Sequence, residues 1–75
     1  MNYDISTKDG MANSVAWTER HFGMMKDGTT WGIPRSGTMV RVYPSKKEAH
    51  ITEGFLPDDS IKRVIWAMGW TVTIL

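Results

Sequence analysis

Between Leu56 and Leu75 the apolar positions change period once, and that change divides the segment into a helix and a strand. Ile61, Val64, Ile65 and Met68 recur at i, i+3, i+4 and i+7, one narrow stripe of a helix that requires a partner surface. Pro57, Asp58, Asp59 and Ser60 suit its start, where a fixed φ, a capping oxygen and negative charge answer the unpaired N–H groups and the dipole. Gly69 is placed to close the helix in a left-handed conformation. Beyond it Trp70, Val72 and Ile74 alternate with Thr71 and Thr73, the period-two pattern of a half-buried strand.

Upstream the same alternation marks a strand from Thr38 to Tyr43, with Val40 and Val42 facing one way and Met39, Arg41 and Tyr43 the other. Pro44-Ser-Lys-Lys47 breaks it, and Glu48 to Glu53 follows as a short strand with Ala49 and Ile51 inward, ending at Gly54. Phe55 is expected near the first turn of the helix as a hydrophobic staple. Asp27-Gly28 predicts a hairpin of residues 22–26 against 29–33, and Pro34 and Gly37 mark a second turn. Residues 13–25 fit no single period. Asn13 or Ser14 could cap a helix from Val15 to Phe22 with Gly23 as its stop. The preferred reading is a strand beginning only near His21, after a short helix or an irregular lead-in. Residues 1–12 are polar and carry a Lys8-Asp9-Gly10 turn signal, so they are expected as a flexible N-terminal tail. The expected fold is therefore α+β: a small antiparallel sheet of three to four strands, one C-terminal helix packed on it and a final strand, with residues 13–75 a single domain.

Composition narrows this further. Seventy-five residues suffice for one modest core, and a hydrophobic fraction of 41% with four Trp favours a folded chain. The absence of Cys excludes disulfides and thiolate metal sites. No apolar run approaches the roughly 18 residues of a membrane-spanning helix, so a cytoplasmic protein without a membrane partner is expected. A net charge of +1 lacks the basic excess of a dedicated duplex binder, although local basic patches remain open to nucleic acid.

Catalytic chemistry finds little support. His21 and His50 are far apart in sequence with no HExxH pattern, so neither a metal nor a cofactor is expected. No serine sits in a Gly-x-Ser-x-Gly elbow, and the glycines are dispersed at turns instead of forming a phosphate-cradling loop. A non-enzymatic binding protein is expected. Trp66 falls outside the apolar stripe of its helix, on the face of Lys62 and Arg63, where Trp and Arg together make an interface hot spot. The plainer role of Trp66 is a cover folded over the helix edge. With the alternating Tyr3 and Ile5 of the tail, Lys62, Arg63 and Trp66 form the expected partner-binding set. Trp31, Arg35, Arg41, Tyr43, Lys46 and Lys47 form an alternative set for nucleic acid, in which aromatics stack bases and cations hold phosphates. The plainer role there makes Trp31 core and the charges a solvated face.

Asp27-Gly-Thr-Thr-Trp-Gly-Ile-Pro-Arg-Ser-Gly37, followed by a short helix and Gly69-Trp70-Thr-Val, resembles the compact cysteine-free accessory proteins that bacteriophages encode to redirect host machinery. The resemblance is one of size and style over residues 22–75. It implies a regulator or inhibitor that binds a host complex, with bacterial RNA polymerase a frequent target and nucleases or nucleoid proteins others.

Overall fold

The first helix begins where a tail and a turn are expected. In a computed structural model of the protein, which describes residues 4–56 and 58–75, α1 runs Lys8–Gly23. Thr7, in an extended conformation, caps it by accepting the Gly10 N–H at 3.0 Å, with Asp9 in the first turn and Arg20 and His21 in the last. Lys8-Asp9-Gly10 is thus the opening turn of a helix, and residues 8–12 belong to it. The strand expected from His21 does not form. The expectations placed on Tyr3 and Pro57 lie outside the described residues.

Three antiparallel strands follow: β1 (Thr29–Ile33), β2 (Thr38–Tyr43) and β3 (Glu48–Thr52). The helix α2 (Asp59–Ala67) then leads to β4 (Thr71–Ile74), which pairs with β3 in parallel. The sheet order is β1-β2-β3-β4. A parallel neighbour requires a crossover, and α2 supplies it. The fold is therefore α+β as expected, but with a mixed four-stranded sheet and two helices instead of a single C-terminal one.

Asp27-Gly28 does turn the chain, with Thr29 N–H bonded to the Lys26 carbonyl, but it joins α1 to β1. Gly28 has φ +88 and Asp27 does not share a positive φ, so this is not the type I′ turn of a two-residue hairpin. Residues 29–33 pair instead with 38–42.

Both helices cover one face of the sheet. Phe22, Val40, Val42, Ala49, Ile51, Ile61 and Ile65 form the buried centre, with Trp31, Ile33, Trp70 and Val72 packed around it. The α2 stripe is as its spacing predicts, with Ile61, Val64 and Ile65 buried and Met68 half-buried. Asp58 caps its start by accepting the Ile61 N–H. At its end Gly69 has φ +85, and the Gly69 and Trp70 N–H groups bond back to Trp66 and Ile65, a Schellman closure. α1 is different: its fully buried positions are Ser14, Thr18 and Phe22, at i, i+4 and i+8. Phe22 anchors it, with its ring 5.6 Å from Trp31 and 5.4 Å from Trp70. The other sheet face, carrying Thr30, Met39, Arg41, Tyr43, Glu48, His50 and Thr52, has no helix over it, and the molecule measures 17 Å along its shortest axis.

Candidate functional site

Three distant segments meet beside α2. The Asp4–Ser6 segment, the turn after β1 and the first two turns of α2 enclose a groove of about 830 Å³. Ile5, Trp31, Ile33, Leu56, Ile61 and Val64 give it apolar walls, and Asp4, Arg35, Asp58, Asp59 and Arg63 line it as well.

Each wall is held by local chemistry. Asp4 accepts the Ser6 N–H at 2.9 Å and the Ser6 hydroxyl at 2.6 Å, and these bonds hold its carboxyl below the usual carboxylate range. Its carbonyl lies so close over Gly10 that a Cβ there would overlap it, which explains a glycine inside the first turn of α1. On the opposite wall the turn after β1 is clamped to the approach to α2. Buried Ser36 donates to Asp58 Oδ2 at 3.2 Å and lies 2.8 Å from Thr38 Oγ1. Leu56 N–H bonds to the Ser36 carbonyl, and a Cβ on Gly54 would strike the Ser36–Gly37 backbone. The Phe55 ring lies against Gly37, which has φ +73, and Phe55 remains 74% exposed, so it covers that turn and is not a staple over α2.

The second surface is the open sheet face. Arg41 and His50 are cross-strand partners at its centre, and Arg41 Nε donates to Thr30 Oγ1 at 3.3 Å. Tyr43 lies 4.8 Å from the His50 ring, with Lys46 Nζ 6.0 Å above the Tyr43 ring. A shallow depression of about 310 Å³ runs between Thr30, Met39, Arg41, His50, Thr52 and Leu75. At one end Asp27 accepts from the backbone and hydroxyl of Ser45, which lowers its pKa and ties the turn after α1 to the turn after β2. Among the described residues no three of His, Asp and Glu gather as a metal site.

No family model, curated protein or solved structure matches this chain.

The residues singled out in the sequence are redistributed by this geometry. In the partner-binding set, Ile5 and Arg63 meet in the groove. Lys62 is not a free cation: its ammonium contacts Glu53 at 2.6 Å and Asp59 at 3.3 Å, its side chain is only 16% exposed, and the Glu53 bond raises its pKa. Trp66 is 56% exposed on α2, outside the groove. The nucleic-acid set is split. Trp31 pairs with Val40 and faces the helices, against Phe22 and 6.1 Å from Trp17, so it shares no face with Arg41 and Tyr43. Arg35 lies in the turn after β1 and lines the groove, at the opposite end of β2 from Lys46 and Lys47. Arg41, Tyr43, Lys46 and Lys47 remain near one another, joined by His50, which strand register alone adds. Leu56, Ile33 and Ser36 are groove residues with no sequence signal, because their roles come from loop packing.

Proposed function

We propose that the protein is a non-enzymatic binding module that regulates or inhibits a partner protein by occupying its surface, and that the groove beside α2 is the principal contact. The observation that carries this reading is the groove itself: apolar walls wide enough for several side chains, with Arg35 and Arg63 beside them. Buried apolar anchors flanked by arginine dominate the energy of protein interfaces. Leu56 lines the groove with exposed apolar surface, and Phe55 beside it in sequence and Trp66 on α2 are exposed as well. A partner segment that buries apolar side chains over Ile5, Trp31 and Leu56 and sets a carboxylate near Arg35 or Arg63 satisfies the groove. The phage-protein resemblance makes a bacterial transcription complex the first partner to test.

The test is affinity capture from bacterial lysate with the wild type and Leu56→Asp in parallel, read by mass spectrometry. A charge placed on the apolar wall is expected to remove the captured partner, at a cost of at least about 2 kcal/mol in affinity. RNA polymerase subunits among the lost proteins support the transcription target. Identical captures by both proteins, with Leu56→Asp folded by circular dichroism, contradict the groove reading.

A further inference from the structure

Charge is unevenly divided along this chain. Residues 26–48 carry five basic side chains against two acidic ones, a formal +3, whereas the remainder carries four basic against six acidic, a formal −2. The excess lies on the sheet meander, and three of its cations, Arg41, Lys46 and Lys47, belong to the open sheet face or to the turn that continues it.

We infer that the open sheet face is a second binding site, for single-stranded nucleic acid. It stands apart from the groove reading, because the two surfaces lie on opposite faces of the sheet and share no lining residue. Three features fit this ligand. Arg41 is exposed at the centre of the face, and its bond to Thr30 fixes the guanidinium over the depression that His50 also lines. A fixed, planar cation beside hydroxyls is suited to a phosphodiester. Tyr43, half-buried and flanked by the His50 ring, offers the edge of an aromatic platform, with the Lys46 ammonium above it. Flat aromatic surface interleaved with cations is how sheet faces hold unpaired bases. Both described helices pack on the opposite face, so neither is placed to enter a duplex groove from this one. In a duplex the bases are already stacked on one another and cannot reach Tyr43, so a single strand gains the stacking contact and a duplex does not.

One group opposes the ligand and thereby sharpens the test. Glu48 is the only carboxylate among the strand residues of this face, 4.0 Å from His50 Nε2 and directly across from Tyr43. Its charge repels phosphate at the Tyr43 end of the site, beside His50.

Fluorescence anisotropy with a labelled 12-nucleotide oligo-dT, an oligo-U of equal length and a duplex of equal length, at about 50 mM salt, reads this directly. Saturable binding of the single strands is expected, with a log–log salt slope of about −2 for three phosphate-contacting cations at about −0.7 each. Arg41→Ala should weaken binding severalfold and flatten the slope. Tyr43→Ala should weaken it at least about fivefold, the lower range for losing one stacked base. Glu48→Gln should tighten it. Tyr43 is partly buried, so circular dichroism accompanies that variant, and the exposed Arg41 keeps the test independent of it. No single-strand binding at low salt overturns the inference. So does binding that is unchanged in Arg41→Ala and Glu48→Gln, or a duplex held as tightly as the single strand. Because none of these substitutions touches the groove, these outcomes leave the lysate capture unaffected.

Discussion

The two helices lie side by side on one face of the sheet and are attached in different ways. α2 buries three aliphatic side chains along a continuous stripe, and its ends are closed by Asp58 and Gly69. α1 is nearly twice as long, 16 residues against 9, yet buries two hydroxyl side chains and a single large one, Phe22. Aliphatic burial spreads the attachment of α2 over three positions. The attachment of α1 is concentrated at its C-terminal end, where Phe22 meets Trp31 and Trp70 and where the Trp17 and His21 rings stack at 3.8 Å. The N-terminal half of α1 is held instead by small groups in close approach, Gly10 under the Asp4 carbonyl and Ser14 in the interior.

The largest effect should come from Phe22→Ala, at about 3–5 kcal/mol for a fully buried aromatic. Ile65→Ala should cost about 2–4 kcal/mol, because Ile61 and Val64 continue to hold α2. Urea unfolding of both variants checks the order. An Ile65→Ala loss greater than that of Phe22→Ala would remove the contrast between concentrated and distributed attachment. Gly10→Ala sharpens it at the other end of α1. Alanine raises helix propensity by about 1 kcal/mol, but its Cβ overlaps the Asp4 carbonyl. Overall helix content should therefore persist while the Asp4–Ser6 wall of the groove is displaced, seen by NMR as altered amide shifts at Ser6 and Thr7. Unaltered shifts there would mean that the contact over Gly10 does not hold the wall.

How far the fold is legible follows the same contrast. α2, Gly69 and the alternating strands can be read because aliphatic side chains occupy their buried positions. The C-terminal half of α1 is open to a helix from Val15 to Phe22 ending at Gly23, but a strand from His21 is the preferred reading and the first half escapes. Ser14 and Thr18 sit where a pattern search looks for Leu or Ile, and Gly10 reads as a turn until the Asp4 carbonyl above it is known. Asp27-Gly28 is correctly a turn, but Asp27 spends its carboxylate on Ser45 and not on a hairpin. The candidate sites are less legible still. Trp31 and Arg41 look like one cluster until the register sends them to opposite faces, and the pairing of Lys62 with Glu53 crosses a loop. The groove is assembled from segments about fifty residues apart at its extremes, Asp4–Ser6 and Asp58–Val64, and no local pattern announces it.

The smallest expected effect is also the most specific to α1. Ser14 Oγ is buried with no hydrogen-bond partner among the described residues, so its desolvation is not offset. Ser14→Ala should leave the fold unchanged and raise stability by up to about 1 kcal/mol, measured as a shift in urea midpoint at constant slope. A clear loss of stability would indicate that this hydroxyl is bonded, and that α1 is held at its middle as well as at Phe22.

The groove beside α2 is proposed to engage a partner protein. Amide hydrogen exchange on the free protein and on its complex with the captured partner tests this most directly. Protection is predicted to rise at Ile33, Arg35, Ser36, Leu56 and Ile61 to Val64, with Thr30, Arg41 and His50 unchanged. Protection gained on the open sheet face, with the groove amides exchanging as in the free protein, would contradict it.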